Sequence, residues 1–185
     1  MKTINIKNMV CDRCISTVMQ ILEQYKIQYK SVALGKIILF NDLTVSQSRN
    51  ILREFEKVGF NLIVNANEKL TNDIKSFLIN IVNKELNDNF KLSVILTKEF
   101  KFNYSHLSRV FSKTYGNTIE QYYIKLRVEK SKELLSYKID NISEIAYKLG
   151  YSSVSHFSRQ FKSLTGVSPK NYKVEIVKRI SLEDI

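Results

Sequence analysis

The spacing of hydrophobic residues divides the chain into two parts. Up to residue 64, short stretches of alternating apolar and polar residues are separated by stretches whose apolar residues recur every three to four positions. Alternation is typical of half-buried strands, and the longer period is typical of amphipathic helices. The pattern predicts strand, helix, strand, strand, helix and strand over residues 2–7, 14–25, 28–34, 37–40, 46–57 and 60–64. This βαββαβ order indicates a ferredoxin-like α+β domain over residues 1–65.

The second part of the chain has only the helical period. A polar segment without periodicity, residues 66–72, is predicted to be a linker. Helical spacing then continues and predicts an all-α domain of seven helices over residues 73–179, followed by a short tail, 180–185. Thr118-Ile-Glu-Gln is a capping-box signature, which indicates the start of a long helix in the middle of this domain.

A segment of 31 residues occurs twice in the second domain, at residues 92–122 and 142–172, with a constant offset of fifty and ten identical positions. Each copy contains a short apolar helix, a tight connection and a second helix, which is the helix-turn-helix pattern. In the second copy Gly150 is predicted to give the turn its positive φ, because glycine adopts that conformation at no steric cost. Phe100 has the corresponding position in the first copy.

The second helix of each copy has an apolar stripe and a polar stripe. Leu107, Phe111, Phe157, Phe161 and Leu164 recur at helical spacing and are predicted to face inward. On the other side, small hydroxyls let a helix approach a phosphate-lined groove, and an arginine can bind O6 and N7 of guanine with two hydrogen bonds. We therefore predict DNA contacts from Tyr104, Ser105, Ser108, Arg109, Ser112, Lys113, Val154, Ser155, Ser158, Arg159 and Lys162.

Roles within this set follow from side-chain chemistry. Arg109 and Arg159, with the serines beside them, are predicted to approach base edges, whereas Lys113 and Lys162 are predicted to contact phosphates. The two histidines, His106 and His156, occupy matching positions at the rim of the two helices. A packing or phosphate-contact role is predicted for them, and not metal binding or catalysis.

The repeat, the helix from Thr118 to Ser136 and the closing sequence Thr165-Gly-Val-Ser-Pro resemble the DNA-binding domain of the AraC/XylS transcriptional regulators, over roughly residues 70–175. The resemblance implies a bacterial, cytoplasmic regulator that is not an enzyme. It also implies that one protomer places two recognition helices in adjacent major grooves of double-stranded DNA, about 34 Å apart.

The charge distribution favours the same partner. The chain has a formal net charge of +11, and residues 91–179 hold 17 Lys and Arg against 7 Asp and Glu, whereas residues 1–90 hold 12 against 9. The basic excess therefore lies on the repeat, as expected for a polyanionic ligand. The N-terminus lacks the apolar core of a signal peptide, and no apolar run approaches the roughly 18 residues of a membrane span, so a cytoplasmic protein is expected.

The first domain carries a C-x-x-C motif, Cys11 and Cys14, where the first strand leads into the first helix. Backbone N–H groups and the helix dipole at that place favour thiolates. Two soft thiolates favour Cu(I) or another thiophilic ion over hard cations. Both histidines lie in the repeat, far along the chain from the motif.

Met9-Val-Cys-Asp-Arg-Cys and Val58-Gly-Phe resemble the heavy-metal-associated domains of copper chaperones and metal-exporting ATPases, over roughly residues 1–65. This resemblance implies that Cys11 and Cys14 are metal ligands and that Met9 packs inward; Asn8 stands where that family usually has glycine. Three interpretations stay open: metal sensing, with a metal-delivery partner; a thiol-redox switch; and a domain that only forms a homodimer.

Overall fold

The computed structural model describes residues 2–63, 65–84, 91–137 and 141–172. The chain forms two compact units, Met1–Ser76 and Phe77–Ile185. The predicted tail, 180–185, lies outside the described residues. Among the residues described, no helix has both the length and the apolar character needed to cross a membrane.

The first unit contains a four-stranded antiparallel sheet and two helices. Its elements follow the predicted order, although the last strand is only two residues long. The strands lie in the sheet in the order β2-β3-β1-β4. The bounds are β1 Lys2–Lys7, α1 Asp12–Gln24, β2 Tyr29–Ala33, β3 Lys36–Leu39, α2 Val45–Lys57 and β4 Asn61–Leu62.

The core of this unit combines the apolar faces of both helices with inward strand residues. In β3, Ile37 and Leu39 are fully buried while the flanking side chains are more exposed, which is the period of two expected of a strand with one face on a core. The helices contribute Val18, Leu22, Ile51 and Phe55. Amphipathic periodicity therefore gives both helix positions correctly.

The turn between β2 and β3 requires glycine for two reasons. Gly35 has φ +74°, a conformation that costs a residue with a Cβ about 1–2 kcal/mol. A Cβ built at Gly35 would also lie 2.3 Å from the Asn72 amide nitrogen. That amide donates a hydrogen bond of 3.2 Å to the Ile6 carbonyl, so residue 72 packs into the first unit.

The predicted linker, residues 66–72, is helical. Helix α3 runs from Ala66 to Val82, and the division between the units falls after Ser76, later than expected. The linker prediction is wrong because the buried side of this helix carries Thr71 and Asn72. Polar residues at buried positions hide a helix from an argument based on apolar spacing.

The second unit contains the end of α3 and five further α-helices within the described residues, followed by a single 3₁₀ turn where the last helix was predicted. Fully buried Leu107, Phe111, Phe157 and Phe161 confirm the inward stripe. The prediction is wrong for Leu164, in the last turn of its helix, which is 47% exposed. The bounds are α4 Leu92–Phe100, α5 Tyr104–Tyr115, α6 Ile119–Tyr137, α7 Ile142–Lys148, α8 Val154–Thr165 and the 3₁₀ turn Pro169–Asn171.

Candidate nucleic-acid interface

The second helices of the two copies, α5 and α8, have the same length of 12 residues and the same bounds after an offset of fifty. Each begins with a side-chain cap: Asn103 Oδ1 accepts from the His106 N–H at 2.8 Å, and Ser153 Oγ accepts from the His156 N–H at 3.2 Å. Each ends at a glycine with positive φ, Gly116 or Gly166. Caps and glycines therefore give the two helices the same register.

The turns before these helices differ between the copies. Gly150 has φ 73°, which confirms the prediction for the second copy. In the first copy Phe100 stays helical and the positive φ, 58°, belongs to Lys101 instead. The Phe100 ring packs edge-on against Phe77, with centroids 5.6 Å apart. In the first copy the residue with positive φ therefore lies one position later, and it is not a glycine.

The predicted contact residues lie along the outer side of α5 and α8. Ser105, Arg109, Lys113, Ser155, Arg159 and Lys162 are exposed, and Tyr104, Ser108, Ser112, Val154 and Ser158 are half-buried. Since the two helices share one register, serine and arginine come at matching places in each copy. Each copy therefore presents the same row of hydroxyl and guanidinium groups.

Tyr104 has a partner that the sequence did not suggest. Its hydroxyl donates a hydrogen bond to the Glu120 carboxylate in the first turn of α6. Burial and the Glu120 carboxylate both raise the pKa of Tyr104, whereas the Tyr104 hydroxyl helps to lower the pKa of Glu120. The phenol therefore stays protonated and ties the start of α5 to α6.

An aromatic residue extends the polar row of the first copy. The ring of Phe102 stacks on the ring of His106, with centroids 4.9 Å apart and planes tilted by 32°. Arg109 Nη2 lies 3.5 Å from His106 Nδ1. With Asn103 and Ser105, these side chains line an open depression of about 520 Å³. Sequence reasoning missed Phe102, although an apolar residue directly before a helix cap was a visible signal.

The second copy is joined to the long helix α6 by Arg127. Its guanidinium lies 4.0 Å from the centre of the Tyr151 ring and 4.8 Å from that of Tyr123. It also donates hydrogen bonds to the Leu149 carbonyl at 3.5 Å and to Gln160 Oε1 at 3.4 Å. One side chain thus contacts the end of α7, the turn and α8. An arginine inside a long helix suggests a solvent-exposed face, so residue spacing alone does not predict this role.

The cysteine pair lies in the first unit. Cys11 is the N-cap of α1, Cys14 is buried in the first turn, and the two Sγ atoms are 3.5 Å apart. Burial raises the pKa of the Cys14 thiol, and the nearby Cys11 raises it further, despite opposing hydrogen bonds from the backbone. The expectation that the helix N-terminus makes this thiol acidic is therefore wrong for Cys14. Desolvation outweighs the backbone dipoles there.

Asn8 holds the loop that carries the cysteines. It has φ 73°, and its amide donates a hydrogen bond of 2.9 Å to the Gly59 carbonyl just after α2. Asparagine tolerates the left-handed conformation better than most residues, so it can take the place of glycine here. Met9 is buried, as expected. Among the described residues, no group of three or more His, Cys, Asp and Glu side chains surrounds a possible metal position.

Comparison with known proteins identifies the second unit. Residues 96–174 match a family of helix-turn-helix domains. The C-terminal domain of AraT, a response regulator from Geobacillus stearothermophilus, has a similar structure, with a TM-score of 0.52 and 24% identity over 63% of this chain and 92% of that one. The second unit contains a helix-turn-helix domain. The matched residues contain all of the second copy and all but the first four residues of the first.

Relatives with longer chains support the same assignment. The HTH-type transcriptional regulator YdiP of Escherichia coli is 26% identical over an alignment of 172 positions, which covers 83% of this chain and 57% of that protein. The HTH-type transcriptional regulator YtdP of Bacillus subtilis is 30% identical over 101 residues, 55% of this chain and 13% of that protein. This chain thus spans less than two thirds of the length of either relative.

Proposed function

We propose that this chain is a sequence-specific DNA-binding transcriptional regulator in which one protomer reads two adjacent segments of the major groove. The observation that carries this proposal is the matching row of serine and arginine on α5 and α8, two helices with equal length and equal register. Two such helices on one chain suit a non-palindromic site, with centres about 34 Å apart along the duplex. The basic excess of the second domain supplies the attraction to phosphate.

In this proposal Arg109 and Arg159 each bind a guanine edge, because an exposed guanidinium can donate two parallel hydrogen bonds to O6 and N7. Lys113 and Lys162 neutralise phosphates. Tyr104 and Val154 are the first residues of α5 and α8, where free backbone N–H groups also favour phosphate. The serines between them, at 105, 108, 112, 155 and 158, allow close approach to the groove.

The first unit, we propose, is a ferredoxin-like domain of the heavy-metal-associated type that makes the regulator responsive to a thiophilic ion such as Cu(I). The antiparallel order β2-β3-β1-β4 with two helices supports the fold. The donor set supports the ion: two thiols 3.5 Å apart at a helix start suit a soft cation of low coordination number, whereas a structural zinc site needs four ligands. Binding would release the Cys14 proton.

A thiol-redox switch is the second candidate. The short distance between the Sγ atoms favours it, because a small shift brings Cys11 and Cys14 to bonding distance. An oxidant such as diamide would take two electrons and two protons from the pair as the S–S bond forms. A first domain that only joins two protomers is the remaining alternative, and it predicts that replacing both cysteines has no effect on control.

The experiment that tests the function is binding of a labelled pool of genomic fragments by the reduced full chain. Enrichment of defined sequences against excess unrelated DNA supports the regulator, and equal recovery of all fragments overturns it. Repeating the binding with one equivalent of Cu(I), with diamide, and with the Cys11→Ser/Cys14→Ser variant separates the three interpretations of the first unit. A copper-dependent shift that the variant lacks supports metal sensing.

A further inference from the structure

An exposed aromatic ring lies just before the start of α5. Phe102 is 48% exposed, although it directly precedes the N-cap Asn103 of a recognition helix. An apolar residue at that position often packs against the fourth residue of the helix and so becomes covered. That fourth residue, Leu107, is fully buried, yet half of the Phe102 ring remains open to solvent.

We propose that Phe102 contacts the 5-methyl group of a thymine next to the base bound by Arg109. This inference rests on the proposed DNA-binding function. The methyl group of thymine is the apolar feature of the major-groove edge, and a phenylalanine ring is among the side chains that suit it. Phe102, Ser105 and Arg109 line the same open depression, so all three would face the same short run of base pairs.

The neighbouring histidine supports the ring. Stacking on His106 at 4.9 Å between centroids restricts Phe102 before DNA arrives, which lowers the entropy cost of contact. His106 in turn lies 3.5 Å from the Arg109 guanidinium. The three side chains therefore form a continuous row, in which the aromatic end suits a methyl group and the cationic end suits guanine.

The second copy lacks this feature. Ser152 has the position directly before its N-cap, where the first copy has Phe102. In that copy the histidine, His156, packs edge-on against buried Tyr151 instead. Only the half-site read by α5 should therefore depend on a thymine methyl. Such a difference would fix which way round the protein binds its operator.

The test begins with selection of an operator from random duplexes by the full chain, followed by replacement of each thymine with deoxyuridine. This replacement removes only the methyl group and leaves base pairing unchanged. At one thymine in the half-site of α5, we expect wild-type affinity to fall about fourfold, the ratio expected for one buried methyl-sized group. The half-site is assigned with Arg109→Ala, which relaxes the preference at its own base.

Phe102→Ser gives the first copy the residue that the second copy has at this position. Together with the deoxyuridine operator, it completes a double-mutant cycle. We expect this variant to bind the thymine operator about fourfold more weakly than the wild-type chain does. Its affinity for the deoxyuridine operator should be no lower than its affinity for the thymine operator. Tyr137→Ser, at another exposed aromatic residue at the end of α6, is the control and should retain the methyl dependence.

Three results would overturn the inference. The first is that deoxyuridine at every position of that half-site leaves the affinity of the wild-type chain unchanged. The second is that the dependence on the methyl group persists in Phe102→Ser. The third is that the half-site contains no thymine. These results leave the proposed function intact. A selection that enriches no sequence at all would instead reject the regulator, and this inference with it.

Discussion

The guanidinium of Arg127 lies 4.0 Å from the centre of the Tyr151 ring, and this contact joins the long helix α6 to the turn of the second helix-turn-helix. Fifty positions earlier lies Phe77, in the helix α3 that precedes the first copy, and its ring packs against Phe100. The two copies therefore attach their turns to the preceding helix with different chemistry. A cation over an aromatic ring serves in one, and an edge-to-face aromatic pair serves in the other.

Replacing Arg127 by Met should destabilise the second unit by about 1–3 kcal/mol, from the loss of the contacts with both rings and of the hydrogen bonds to Leu149 and Gln160. Arg127→Lys should recover little of this stability. An ammonium group has no plane to stack on the Tyr151 ring, so it cannot combine stacking with hydrogen bonds in two directions. Urea unfolding of the full chain measures both. Full recovery with lysine would contradict the stacking role.

Lys101→Gly should stabilise the second unit. Lys101 has φ 58°, which costs a residue with a Cβ about 1–2 kcal/mol, and the added freedom of glycine in the unfolded chain offsets about 0.5–1 kcal/mol of the gain. The expected net gain is therefore about 0.5–1 kcal/mol in the free energy of unfolding. Lys101→Ala removes the same charge but keeps the Cβ, so it should give no gain. Equal stabilisation by both variants would point to charge instead of backbone strain.

Much of the fold could be predicted from spacing, and the failures have a common physical cause. Apolar periodicity correctly indicates α1, α2 and the inward stripe of both recognition helices, because those faces are buried against apolar neighbours. It fails at residues 66–72, where Thr71 and Asn72 are buried polar residues, and at Arg127, a cation held by aromatic rings. Partners distant in sequence determine both cases, and a single sequence does not reveal them.

The candidate site shows the same limit. Residue types and the exact repeat suffice to select the outer row of α5 and α8. They do not reveal that Tyr104 is bonded to Glu120, or that burial raises the pKa of Cys14. Contacts between helices set the first, and desolvation sets the second. Both depend on how the chain packs.

Glu129 and Lys132 form a buried pair in the middle of α6. Removing one partner should lower the free energy of unfolding strongly, and replacing both by apolar residues should lower it little. Their side chains are only 6% and 5% exposed and form an ion pair. Lys132→Met alone leaves a buried carboxylate without its cation and should cost about 3–5 kcal/mol, whereas adding Glu129→Leu should recover most of that loss. Urea unfolding of both single variants and the double variant measures the coupling. Additive losses would show that the pair does not act as a unit.

Because the pKa of Cys14 is raised, the free energy of unfolding should fall at alkaline pH. The unfolded thiol ionises from about pH 8.5 upward, and the buried thiol ionises only at higher pH. The folded chain therefore binds more protons in this window, so its stability should fall as pH rises through it. Cys14→Ser should remove that part of the slope. Urea unfolding measured from roughly pH 7.5 to 10, a range that brackets the pKa of about 8.5 of a free thiol, tests this. An identical slope in the serine variant would mean that Cys14 ionises normally.

Arg159 and Lys162 lie three residues apart on α8 and are both exposed, yet they should contribute to DNA binding in different ways. Arg159→Ala should cost about 1–3 kcal/mol on the selected operator and relax preference at one base pair, because it removes a bidentate contact. Lys162→Ala should weaken binding to all sequences about equally and reduce the slope of log affinity against log salt by about one. Affinities on operator and mismatched duplexes at several salt concentrations separate the two effects. If Arg159→Ala lowered affinity uniformly and left base preference unchanged, the arginine would be a phosphate contact, and base recognition by the second copy would have to come from its serines.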